Sequence, residues 1–165
     1  MSDIKSHPTP AYLREAELRQ GIELLFYAYR DFTSEPDHML ARYGFGRAHH
    51  RVIYFVGRHP HMSVTELLAI LRITKQSLSR VLSQLVHQGF IRQTPGARDR
   101  RQRLLELTEK GVALERDLSE NQRQRVMRAY RNAGADAVEG FRAVMLGIIG
   151  DEADRKHFDR GRNGK

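Results

Sequence analysis

The sequence predicts a mainly α fold with one small β element, an α+β arrangement in which helices flank a two-stranded hairpin. Three observations predict it. Apolar residues recur at helical spacing along most of the chain, as in Leu18, Ile22, Leu25, Phe26 and Tyr29. One run, Arg103-Leu104-Leu105-Glu106-Leu107, switches to strand-like alternation after a Pro95-Gly96 turn signal. Cap residues, Ser63 with Glu66 and then Thr74, punctuate the middle of the chain.

In chain order, residues 1–9 read as a loose tail. A helix is expected from Pro10, because proline is tolerated in a first turn. Leu24 and Tyr27 widen its apolar stripe. A face that broad needs more partners than one lobe supplies, which suggests a second chain. Ser34-Glu35-Pro36-Asp37 is expected to break this helix, with a short helix following to Tyr43. The run AHHRVIYFVG, after Gly44 and Gly46, gives a compact apolar helix ending at Gly57. Ser63-Val64-Thr65-Glu66 is a capping box in front of Leu67, Leu68 and Leu71. Ile73-Thr74 makes a short turn, Thr74 caps the next helix, and Gly89 ends it. Phe90–Thr94 and Arg101–Leu107 are the expected strands. Thr108 then caps a long charged helix from about Glu109 to Arg131. Asn132 to Gly134 interrupts it, and a last helix carries Phe141, Val144, Met145, Ile148 and Ile149. The segment from Gly150 to Lys165 is polar and expected to fray.

Composition narrows the function classes. The chain has 165 residues, a net charge of +8 and no cysteine. Disulfides, thiolate nucleophiles and thiol-based redox sensing are therefore excluded. No stretch reaches the length needed to span a membrane. The N-terminus lacks an apolar signal region, so a cytoplasmic location is expected. The charge is unevenly placed. Arg42 to Lys110 holds 13 Lys and Arg against 4 Asp and Glu, while the remaining residues hold 15 basic and 16 acidic. All the excess positive charge lies in the central segment, as expected of a polyanion binder.

The order of helix, capped helix, short turn, helix and hairpin is a helix-turn-helix followed by a wing. In the second helix of the pair, Leu78, Val81, Leu82 and Leu85 share one face. Gln76, Arg80, Ser83 and His87 point nearly opposite, flanked by Lys75, Ser77 and Ser79. That outward face has amide, guanidinium, ammonium and hydroxyl groups and no acid. Solvated helix faces also use these residue types, but they normally mix in glutamate. Gln pairs with adenine and Arg with guanine in the major groove, while Lys and Ser also serve phosphates. The major-groove candidates are Thr74, Lys75, Gln76, Ser77, Ser79 and Arg80. The wing candidates are Arg98, Asp99, Arg100, Arg101 and Arg103, because an arginine-rich tip suits the negative potential of a minor groove. Asp99 either orients Arg101 or shapes the loop as an Asx turn, and the sequence leaves both open.

These residues carry a resemblance. Ile73-Thr74-Lys75-Gln76-Ser77-Leu78-Ser79-Arg80, Leu85-Val86-His87-Gln88-Gly89-Phe90-Ile91, Asp99-Arg100-Arg101 and Leu105-Glu106-Leu107-Thr108-Glu109-Lys110-Gly111 resemble the MarR family of bacterial transcriptional regulators. The likeness is close over about residues 45 to 112, and the wing pattern is its specific part. It implies a homodimer built from N- and C-terminal helices on a pseudo-palindromic operator in double-stranded DNA. It also implies DNA contacts by Asp99, Arg101 and Lys75 to Arg80. A small anionic aromatic effector is a further implication.

The expected organisation is a tail and dimerisation helix (1–42), a DNA-binding lobe (43–110), a long helix with the C-terminal dimerisation helix (111–150) and a polar tail (151–165). The reading is a sequence-specific transcriptional regulator, with repression the expected sign. A non-specific architectural DNA binder and a winged-helix protein-interaction module are the alternatives. His50, Arg51, Tyr54 and Phe55 are candidates for a ligand cleft, although core packing is the usual task of such aromatics. His49, His50, His59 and His61 match no standard metal spacing, and no metal or other cofactor is expected. Enzymatic motifs are missing, so no catalytic residue is assigned.

Overall fold

The computed structural model describes residues 8–160, with side chains described to 158. The expected tail at 1–9 therefore lies mostly outside the described residues. Two compact units make up the chain, Met1–Gln122 and Arg123–Lys165.

In the first unit a short 3₁₀ turn, Ala11–Leu13, precedes α1, Glu15–Ala41. Then come α2 (Arg47–Arg58), β1 (Met62–Ser63), α3 (Val64–Leu71), α4 (Lys75–His87), β2 (Ile91–Pro95) and β3 (Arg103–Leu107). The first part of α5, Glu109–Ala133, closes the unit. The strands form one antiparallel sheet in the order β1-β3-β2. The hairpin register pairs Ile91 with Leu107 and Pro95 with Arg103. The short β1 was not expected; it pairs Met62 with Leu105 and Ser63 with Leu104. Leu40, Val52, Ile53, Leu67, Leu85 and Leu105 are fully buried, so α1 to α4 and β3 share one core.

The expected break at Ser34–Asp37 does not occur, and α1 runs through Pro36. Proline has no N–H, so the Phe32 carbonyl one turn earlier loses its helical donor. Gln122 Nε2 supplies a replacement, 3.4 Å from Phe32 O. Pro36 is itself fully buried, so apolar contact also holds this turn in place.

The local caps fall where expected. Ser63 Oγ accepts the Glu66 N–H at 3.1 Å, and Glu66 Oε2 accepts the Ser63 N–H at 2.7 Å. Thr74 Oγ1 accepts the Ser77 N–H at 3.1 Å. Gly89 follows α4 with φ 80°, a left-handed conformation that glycine adopts without a Cβ penalty.

In the second unit the end of α5 is followed by α6, Ala135–Ile148, and α7, Glu152–Arg160. Tyr130 and Phe141 meet edge to face, 6.0 Å between ring centroids. The expectation of a frayed segment after Gly150 is corrected over 152–160. Asp151 Oδ1 accepts the N–H groups of Ala153 and Asp154 at 2.8 and 3.3 Å, which caps α7. Glu152 and Lys156 add an i,i+4 pair at 2.9 Å. Residues 161–165 lie outside the described residues.

Candidate nucleic-acid interface

The candidate interface comprises α4 and the β2–β3 wing, both in the first unit. Leu78, Val81, Leu82 and Leu85 bury one side of α4. Lys75, Gln76, Ser77, Ser79 and Arg80 are exposed on the rest of its surface. Thr74 is a cap first: besides accepting from Ser77, its hydroxyl donates to Ser77 Oγ at 2.9 Å. The first turn of α4 holds no acid, so its N-terminal dipole stays open to a phosphate.

The wing tip spans residues 96–102. Gly96 N–H donates to Gln102 O at 2.9 Å, and Gln102 N–H to Asp99 O at 3.1 Å. Asp99 Oδ1 accepts the Arg101 backbone N–H at 2.9 Å, which is an Asx turn. Of the two roles left open for Asp99, the geometry contains this one. Arg98, Arg100, Arg101 and Arg103 are all exposed. Nearer the base, Arg92 pairs with Glu106 at 2.9 Å across directly opposed positions. The Arg92 hydrogen bond holds the Glu106 carboxyl below the usual carboxylate range. Arg92 is thus engaged with an acid while the tip arginines face outward.

Asp99 gives a substitution test with two signs. Asp99→Asn keeps the oxygen that makes the turn and removes the negative charge facing a polyanion. It should bind DNA slightly tighter, by a few tenths to about 1 kcal/mol at a screened surface. Asp99→Ala also loses the turn and should bind more weakly than Asp99→Asn. DNA titrations of both variants at two salt concentrations check this order. Equal affinities would mean that the turn has no bearing on binding.

The histidines separate into different environments. His49 is buried and stacked on Phe45, with centroids 4.5 Å apart. Its Nδ1 accepts the Gly46 N–H at 3.1 Å, so the ring proton sits on Nε2, 2.5 Å from Gln84 Oε1 on α4. His49 therefore braces the helix-turn-helix from behind, a role that its sequence context did not reveal. Burial pushes the half-buried His50 below its ordinary value, Asp37 and Glu115 pull it back up, and Arg51 adds to the lowering. His61 takes a left-handed φ of 67° and donates its N–H to Leu105 O at 2.9 Å. Among the described residues no group of three or more His, Cys, Asp or Glu side chains is placed to hold a metal ion.

The candidate cleft residues divide too. Phe55 packs against the core and meets Tyr54 edge to face at 5.3 Å. Tyr54 is exposed, and Arg51 Nη2 donates to Tyr29 Oη at 3.1 Å. Arg47 lies over the same Tyr29 ring, 5.3 Å from its centroid, and pairs with Asp37 at 3.1 Å. Two guanidinium groups therefore meet at Tyr29, where α1 and α2 adjoin.

Comparison with known proteins places this geometry. A model of the MarR family matches residues 43–102, which contain the helix-turn-helix and the wing tip. The HTH-type transcriptional regulator PetP of Rhodobacter capsulatus is 50% identical over 150 residues, covering 91% of this chain and 90% of that protein. The chain belongs to the MarR family. Among solved structures, Streptococcus pneumoniae FabT in complex with DNA covers 79% of this chain and 94% of its own, with 17% identity and a TM-score of 0.70. A mutant MarR from E. coli complexed with operator DNA covers 86% and 99%, with 19% identity and a TM-score of 0.63. At those identities the likeness is one of fold. This MarR-family chain thus has the mainly α winged helix-turn-helix expected from its sequence. No helix among the described residues is long and apolar enough to cross a membrane.

Proposed function

We propose that this MarR-family protein is a sequence-specific, DNA-binding transcriptional regulator. In this reading a homodimer binds a pseudo-palindromic operator, and repression is the expected sign. The observation that carries it is the exposed face of α4: Lys75, Gln76, Ser77, Ser79 and Arg80 without an acid, beside a wing hairpin with four exposed arginines, Arg98, Arg100, Arg101 and Arg103. Residues 74–88 enter the major groove, and the wing, 94–102, reaches the minor groove. Residues 43–110 form the reading lobe, 1–42 and 111–150 supply the dimer contacts, and 151–165 form a polar end. The helix-turn-helix regulator at 50% identity supports a non-enzymatic, cytoplasmic role. A small anionic aromatic effector would lie by His50, Arg51, Tyr54 and Phe55, where Arg51 supplies the charge.

Gln76→Ala and Arg80→Ala should each relax the base preference at particular operator positions, at about 1–3 kcal/mol per lost bidentate contact. Competition binding against operators changed one base pair at a time reads this out. A uniform loss on every sequence would reduce both residues to phosphate contacts and favour a non-specific architectural binder.

A further inference from the structure

The residues after β3 close the end of α4 as well as opening α5. Three successive carbonyls, those of Gln88, Gly89 and Phe90, mark the exit from α4. The Gln88 carbonyl, at the C-cap of α4, lacks an intrahelical partner, and those of Gly89 and Phe90 lie just past the helix. Here each finds a donor in one short segment. Lys110 Nζ donates to Gln88 O at 2.8 Å, Thr108 Oγ1 to Gly89 O at 2.5 Å, and Thr108 N–H to Phe90 O at 3.1 Å. Thr108 Oγ1 also accepts the Gly111 N–H at 3.1 Å, so one hydroxyl serves both helices. Gly111 lets the two segments come this close: a Cβ there would lie 2.1 Å from Phe90 O.

Lys110 belongs to the basic central segment, and charge counting alone would assign it to a DNA phosphate. Its ammonium is instead engaged within the protein. It lies 4.2 Å from the centroid of the Phe90 ring as well as on the Gln88 carbonyl. A cation at that place also complements the negative end of the α4 dipole.

We propose that Lys110 and Thr108 are positioning residues for DNA reading: they fix the exit of α4 on the first turn of α5 and so set the angle at which Gln76 and Arg80 meet base edges. The proposal rests on the DNA-reading function above. Loosening the exit lets α4 tilt, which harms contacts to base edges more than contacts to phosphates. Base readout needs fixed bidentate geometry, whereas phosphate attraction tolerates displacement.

The test compares the wild-type dimer with Lys110→Met, Lys110→Gln, Thr108→Val and Thr108→Ser. Fluorescence anisotropy measures binding to a selected operator and to random DNA over a series of salt concentrations. Wild-type protein comes first: if it does not prefer the operator, the DNA-reading function fails and the clamp is not at issue. Given that preference, Lys110→Met and Thr108→Val should lower the operator-to-random ratio by about 3- to 30-fold. Binding to random DNA and its salt slope should stay as in wild type. Thr108→Ser, which keeps the hydroxyl, should retain most of the ratio, and Lys110→Gln should fall between Lys110→Met and wild type. Partial unfolding reduces active protein for both DNAs alike and leaves the ratio unchanged, so the ratio separates positioning from stability. An unchanged ratio in both Lys110→Gln and Thr108→Val overturns the proposal. So does an equal loss on both DNAs with the salt slope reduced by about 1 in Lys110→Met, the signature of a phosphate contact.

Discussion

Deleting residues 135–165 should yield a chain that no longer forms a dimer and that binds its operator about 10²- to 10⁴-fold more weakly, because a dimer engages its second half-site at high effective concentration. The apolar faces on α1 and α6 motivate this. Ile22 and Phe26 on α1 are 69% and 64% exposed in the single chain, and Val144 and Ile148 on α6 are 63% and 56% exposed. A monomeric soluble protein rarely leaves such residues uncovered in rows. Removing α6 takes away one row and leaves the other on α1, so insolubility is the second acceptable outcome. Sedimentation analysis and operator titration of the truncated chain make the measurement. A well-folded monomer with undiminished operator binding would refute the dimer assignment.

Phe90→Ala should be among the most destabilising single changes in the first unit, at about 3–5 kcal/mol. The side chain is 1% exposed and lies where α4, β2 and α5 converge. Tyr43 and Phe45 meet it edge to face at 5.2 and 5.4 Å, and the Lys110 ammonium covers it. Alanine would leave a cavity and also end these ring contacts, each worth about 0.5–1.5 kcal/mol beyond area burial. Phe90→Leu refills most of the volume and should lose clearly less. Urea unfolding at one fixed protein concentration gives both values, since dimerisation makes apparent stability depend on concentration. A loss under about 1 kcal/mol for Phe90→Ala would show that the site collapses freely and that the exit of α4 is not rigidly packed.

What the sequence revealed was what local chemistry decides. The Ser63–Glu66 capping box, the Thr74 cap and the buried row on α4 depend on residues within a few positions of one another, and the hairpin joins two neighbouring strands through one short loop. The continuity of α1 through Pro36 was hidden because its remedy, Gln122, lies 90 positions from Phe32. The two-residue β1 was hidden too, since it is too short for any periodicity and exists through pairing with β3. α7 was missed because a polar segment with no apolar stripe reads as a frayed end, although Asp151 was available as a cap signal. In the candidate interface the exposed α4 residues and wing arginines were legible from their spacing. Two supports behind them were not. His49 matched no functional pattern in the sequence, and only its contacts with Phe45 and Gln84 place it in the core. Lys110 looked like one more basic residue until its partners on Gln88 and Phe90 were seen.

Selection of binding sites from random double-stranded DNA, read by sequencing, tests the central claim most directly. Two copies of one recognition helix should enrich an inverted repeat whose half-site centres lie about one helical turn, roughly 10 bp, apart. The same experiment with Gln76→Ala should lose information at defined positions in both half-sites. Recovery of unenriched sequence at every salt concentration, with folded protein, would contradict the reading of this chain as a sequence-specific regulator.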